Sequence, residues 1–164
     1  MTAFDAWLKE AAEMKHVDPE ASMPERLVHS ETDAHWLDPA MTGNPSRIGV
    51  LVEVPARTME FYSQELPPRS AGDLQRHRHE SVHYVIEGEG YSEIGPRTVR
   101  WKNGDLIYTP PWVWHRHYND SELPVRMLLV ENSRLLAALG LNQRESAGEI
   151  SYAEHEHDHQ ERGR

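Results

Sequence analysis

The chain has 164 residues, eleven of them histidine and none cysteine, and a formal net charge of −10 at pH 7. That length suits one domain around a single core, and the acidic balance argues against phosphate-backbone binding, so nucleic acid is not an expected partner. Without cysteine there are no disulfides, thiolate metal sites or cysteine nucleophiles, which leaves imidazole and carboxylate to hold any metal.

Thr2 to His16 places Phe4, Trp7, Leu8, Ala11 and Ala12 on one stripe, predicting an amphipathic helix that docks on the main body or serves as a dimer-forming arm. Residues 17–46 carry Pro19, Pro24, Pro39, Gly43 and Pro45 among polar neighbours and read as an extended connector, anchored locally by Trp36 and Leu37. Residues 1–46 are therefore expected to be a helix and an arm. No stretch approaches the roughly 20 apolar residues of a membrane span, and no basic-then-apolar signal opens the chain, so no membrane partner and a cytoplasmic location are expected.

From Arg47 the pattern changes to short runs of Val, Ile and aromatic residues separated by Gly, Pro and Asn-Gly, the pattern of an all-β barrel or sandwich over residues 47–131. Strands are expected near 47–54, 58–66, 74–79, 82–87, 90–94, 97–102, 105–109, 113–118 and 124–131. Gly88 and Gly90 bracket one tight turn, and Asn103-Gly104 predicts a type I′ hairpin between Val99-Arg100-Trp101 and Leu106-Ile107-Tyr108. Ser133 is expected to cap a short C-terminal helix within residues 132–141, ending at Gly140. Residues 142–164 are polar and read as a disordered tail whose His155-Glu156-His157-Asp158-His159 is solvated rather than a specific metal site.

The informative histidines lie within the β region. His77 and His79 are two apart, so on a strand both imidazoles face the same side. Without a bulge, Ser81, His83 and Val85 share that face, while Arg78, Glu80, Val82 and Tyr84 point outward. His115 and His117 repeat the pattern farther along, each pair lying behind a glycine turn and a β run. A single pair is a weak signal in a histidine-rich chain; two pairs in matching contexts point to one metal site inside a barrel.

These residues resemble the cupin family over residues 47–131. The family's second motif runs Gly, five residues, Pro-x-Gly, two residues, His, three residues, Asn. Gly104, Pro110, His115 and Asn119 match it, with Trp112 where the family usually has glycine. In the first motif His77 and His79 match, Gly72 lies one residue nearer than usual, and the interval to Gly88 is compressed. The customary glutamate ligand is missing: counting forward from His79 its place is held by His83, and counting back from Gly88 by Ser81. The resemblance implies an all-β double-stranded β-helix, or jelly-roll barrel, holding a metal through His77, His79 and His115. His83 is either a fourth ligand or outside the shell.

Within the family the two histidine stretches look like gentisate 1,2-dioxygenase and related ring-cleaving cupins, which implies Fe(II), with Mn(II), Ni(II) or Zn(II) as alternatives. The expected function is that of a dioxygenase on a small aromatic or carboxylate-bearing metabolite. Its rivals are a non-oxidative metal-dependent isomerase or lyase and a non-catalytic small-molecule-binding protein. Trp101, Tyr108, Trp112 and Trp114 are the expected wall for a ring, with barrel core as their bland reading, and Arg126 is a candidate cation for a carboxylate. His117 is the candidate acid/base residue, Asn119 is expected to fix a turn, and family resemblance implies a homodimer.

Overall fold

The computed structural model describes residues 2–13, 20 and 23–162. Helix α1 (Ala3–Glu13) is followed by a 3₁₀ turn (Glu31–Asp33), β1 (His35–Trp36) and a one-turn helix α2 (Pro39–Thr42). The barrel then comprises β2 (Arg47–Val50), β3 (Glu60–Leu66), β4 (Ser70–Ala71), β5 (Leu74–His77), β6 (Ser81–Glu87), β7 (Glu89–Ile94), β8 (Arg97–Lys102), β9 (Leu106–Thr109), β10 (His115–Asn119) and β11 (Val125–Glu131). Helix α3 (Ser133–Ala138), β12 (Arg144–Gly148) and α4 (Tyr152–Arg162) complete the chain. All pairings are antiparallel and form two sheets, ordered β1-β2-β3-β11-β6-β9 and β12-β5-β10-β7-β8.

The interior is divided by chemistry along its strands. On β6 the inward positions run Ser81, His83, Val85, and on the antiparallel β11 they run Glu131, Leu129, Met127, opposite them in register. One end is therefore polar and the other apolar. Leu66, Val85, Trp101, Ile107, Val125, Met127 and Leu129 form the apolar cluster, and their burial supplies the dominant stabilisation. The histidines occupy the other end.

Several expectations are corrected. The β8 and β9 strands lie in different sheets, so Asn103-Gly104 carries the chain between sheets rather than closing a hairpin. A type I′ turn needs positive φ at both central residues, and Gly104 has it while Asn103 does not. The cap of α3 is Asn132, without a side-chain hydrogen bond to the helix; Ser133 instead donates to the Glu60 carboxylate. Helix α1 forms, yet Phe4, Trp7 and Leu8 are exposed rather than docked; the rest of its expected span lies outside the described residues. The connector contains the short β1, which pairs with β2, and Trp36 does anchor it, lying under the Arg47 guanidinium.

The largest correction concerns the expected tail. Strand β12 pairs with β5 through Arg144↔His77, Glu145↔Arg76 and Ser146↔Gln75, and α4 follows it. The strand is polar because a sheet edge needs hydrogen-bonding partners more than apolar side chains. Arg144 and Ser146 both donate to the buried Asp73 carboxylate, and Arg76 pairs with Glu145. His155 is buried, its ring 4.4 Å from that of Trp114.

Candidate metal centre

His77 ends β5, His79 sits just beyond it, His83 lies on β6, and His115 and His117 lie on β10; all five imidazoles are buried. The alternation that strand geometry imposes holds on β6 and β10, with Ser81, His83 and Val85 inward as expected. The His77 and His79 rings stack at 3.7 Å, and the His77 and His115 rings meet edge-on at 4.7 Å.

Backbone carbonyls set the tautomers of two rings. His77 Nδ1 donates to the His79 carbonyl at 2.7 Å, and His115 Nδ1 donates to the Val113 carbonyl at 2.9 Å. Each ring is thereby left with an Nε2 lone pair, and that of His115 is buried without a partner among the described residues. His79 Nδ1 donates to Asn142 Oδ1 at 3.0 Å, while its Nε2 lies 3.2 Å from the Glu131 carboxylate. Donor atoms of His77, His79 and Glu131 all fall within 4.8 Å of one another.

Burial keeps most of these rings neutral. It lowers His77 to about 4, aided by neighbouring His79, and lowers His83 to about 3, aided by His115 and His77. His115 and His117 are pushed well below the usual value for the same first reason. For His79 burial is the largest single influence and acts downward, but the hydrogen bond and charge of Glu131, with Asn142, outweigh it and raise the pKa. Neutral imidazoles with buried, unpaired nitrogens are the form a divalent cation needs. The donor set fits such an ion.

These residues open onto a cavity of about 250 Å³. Its wall includes His77, His79, His83, His115 and Glu131, together with Ile48, Tyr62, Gln64, Leu129, Asn142 and Arg144. Arg144 donates from Nη2 to Asp73 at 2.9 Å and from Nε to Gln75 at 2.6 Å, so its guanidinium is held in place.

Other expected site residues lie elsewhere. His117 is beneath the cavity, its Nδ1 2.7 Å from Ser92 Oγ and its ring 4.3 Å from that of His83. Since Trp101 Nε1 donates to the same Ser92 oxygen, the hydroxyl is free to donate to His117. Trp101 is in the apolar core. Tyr108 points outward from β9 and donates to Glu80. Trp112 and Trp114 pack on the outer side, with Arg76 over both rings and Arg78 over Trp112. Arg126 alternates outward from buried Val125 and Met127 and pairs with Glu31. None of these six lines the histidine cavity. Trp112 has φ +60°, the left-handed conformation that explains why glycine is usual at its position.

Residues 62–131 match the cupin domain family. The barrel has the cupin fold. Among curated proteins, the chain is 33% identical over 86 residues to a gentisate 1,2-dioxygenase from Streptomyces, which covers 52% of this chain and 24% of that one. It is 34% identical over 85 residues to a 1-hydroxy-2-naphthoate 1,2-dioxygenase from Nocardioides, covering 51% and 22%. The chain thus spans about a quarter of the length of these relatives. The barrel also superimposes on a salicylate 1,2-dioxygenase from Pseudaminobacter salicylatoxidans with TM-score 0.56 at 19% identity, covering 90% of this chain and 49% of that one. A cupin-2 domain protein from Rhodospirillum rubrum gives TM-score 0.56 at 20% identity, covering 69% and 78%. Those structural likenesses establish the fold.

Glu131, Arg144 and Asn142, all in the cavity wall, escaped the sequence reading. Glu131 is the last residue of an apolar strand, and its parity with Met127 and Leu129 carried the signal. Arg144 and Asn142 lie in the segment read as tail, and only the pairing of β12 with β5 brings Arg144 to the cavity. Asn119 has the structural role expected: its amide donates to the carbonyls of Leu66, Pro67 and Leu123.

Proposed function

We propose that this cupin is a metal-dependent dioxygenase acting on a small aromatic or carboxylate-bearing molecule. The observation that supports it most directly is the convergence of buried, unprotonated imidazole nitrogens on a cavity whose wall also carries an oriented guanidinium. His77, His79 and His115 would hold the ion, with His83 behind them. A bound divalent ion, Fe(II) before Mn(II), Ni(II) or Zn(II), would supply a centre for chelation and, for iron, the electrons through which dioxygen reacts with an aromatic ring.

The chain's own groups bind and orient. The carbonyls of His79 and Val113 hold the Nδ1 protons of His77 and His115, so neither ring can turn its Nε2 away. Arg144, held by Asp73 and Gln75, offers a preorganised cation to a substrate carboxylate. Leu129 and Ile48 provide apolar wall for a ring, and the modest cavity volume suits a compact ligand. The exposed Phe4, Trp7 and Leu8 of α1 support a homodimer as part of this reading.

Oxygen uptake by anaerobically Fe(II)-loaded protein is the test, with gentisate, salicylate, 5-aminosalicylate and 1-hydroxy-2-naphthoate as substrates. At least one should drive uptake that His115→Ala abolishes, and Arg144→Gln should raise KM about tenfold with a smaller effect on kcat. Iron-loaded protein that consumes no oxygen with any carboxylated aromatic would overturn the dioxygenase reading. Turnover without oxygen would support an isomerase or lyase instead.

A further inference from the structure

We infer that Glu131 is a ligand of the metal, delivered from β11, the strand facing the one on which the first cupin motif would place its carboxylate. The inference rests on the metal-binding reading above and names a ligand which neither histidine motif contains. Counting back from Gly88, the motif's carboxylate position is Ser81, which has no charge to offer and whose buried hydroxyl has no hydrogen-bond partner among the described residues. Glu131 is the residue directly opposite Ser81 in the β6–β11 ladder. Side chains directly opposite on an antiparallel pair leave the same face about 5 Å apart, so a carboxylate on either strand reaches the same region of the barrel.

Proton counting at His79 adds an independent argument. A neutral imidazole has one N–H, and His79 uses it at Nδ1 toward Asn142 Oδ1. The remaining lone pair at Nε2 then faces a Glu131 carboxylate oxygen at 3.2 Å, an arrangement that needs a cation between the two atoms, either a second proton on His79 or a metal ion. Two ligands about 2.1 Å from one ion and at right angles to it are about 3 Å apart, close to the spacing seen. His77 completes the group within 4.8 Å.

The neighbouring carboxylate is otherwise engaged. Glu60, opposite Glu131 on β3, accepts from Tyr62 and Ser133 and lies 3.6 Å from Arg134. His83 is also displaced from the first role: its ring packs on His117, deeper than the His79–Glu131 pair. The centre is then His77, His79, His115 and Glu131, and it carries one negative charge instead of being all imidazole.

The test uses the full-length metal-free protein. Mn(II) binding is followed by electron paramagnetic resonance of the free ion, since Mn(II) is the weakest of the series at imidazole-rich surface sites. Co(II) binding is followed by visible absorption, which reports the donor set without turnover. Wild-type protein should take up one tightly bound ion. Glu131→Gln should weaken Mn(II) binding at least tenfold and change the Co(II) spectrum, whereas His83→Asn should leave both within about twofold. Adding Ser81→Glu to Glu131→Gln should restore affinity from the opposite strand. If that double variant does not fold, the single Glu131→Gln result decides alone. Wild-type affinity and an unchanged Co(II) spectrum in Glu131→Gln would identify the His79–Glu131 contact as a proton-linked ion pair and overturn this inference, leaving the metal-binding reading intact. A wild-type protein that binds neither ion would overturn both.

Discussion

Acidification of the metal-free protein should destabilise it steeply between pH 6.5 and about 5, before its carboxylates are extensively protonated. His77 and His83 are held neutral by burial, with folded pKa values of about 4 and about 3. In the unfolded chain each titrates near 6.5. Above that value neither state is protonated and the full stability is present. As the pH falls, the unfolded state takes up protons that the folded state refuses, so the unfolding free energy decreases. At pH 5 the difference for each ring corresponds to about 1.5 pH units, or about 2 kcal/mol, giving about 4 kcal/mol for the pair. His115 and His117 act in the same direction, while His79, whose pKa is raised, opposes them in part. A loss of that size is a large part of a typical domain's 5–15 kcal/mol. Urea unfolding of chelator-treated protein at pH 7.5, 6.5, 5.5 and 5 measures it. A midpoint that is flat or rises toward pH 5 would refute the claim that these rings are buried as neutral groups.

Substitutions at three positions probe the frame that holds the site. In Gly90→Ala the new methyl carbon would lie 2.2 Å from the Tyr118 carbonyl oxygen and 2.5 Å from the Trp101 ring, so a loss of about 3 kcal/mol or more is expected in chemical denaturation. Asn119→Ala removes an amide that bonds three carbonyls, of which the Leu66 carbonyl contact is buried, with an expected cost of about 1–3 kcal/mol in the same assay. Trp112→Ala keeps the left-handed backbone, which costs about 1–2 kcal/mol, and loses two cation–π contacts of about 0.5–1 kcal/mol each. Trp112→Gly loses the same contacts but relieves the strain, so its melting temperature should exceed that of Trp112→Ala.

The sequence by itself marked most of the strands between residues 47 and 131 and their inward histidines, because these follow from local rules, while the family resemblance pointed to a barrel rather than a sandwich. Alternation along a strand puts His77, Ser81, His83, His115 and His117 on interior faces whatever the strands later pair with. The same rule, applied to Arg126 and Tyr108, would have turned both outward, where the structure has them. Trp112 and Trp114 precede β10 and follow no strand alternation, and the guanidinium of Arg76 holds both on the outer side. What only the tertiary structure decided is which distant segments meet. The type I′ signal at Asn103-Gly104 described a local bend, but its strands are claimed by two different sheets. Polar composition marked residues 144–148 as tail, yet cross-strand hydrogen bonds to β5 and the buried Asp73 carboxylate order them and bring Arg144 to the cavity. The placement of Glu131 against His79 depends likewise on the register of β11 with β6, a long-range pairing that no motif spacing encodes.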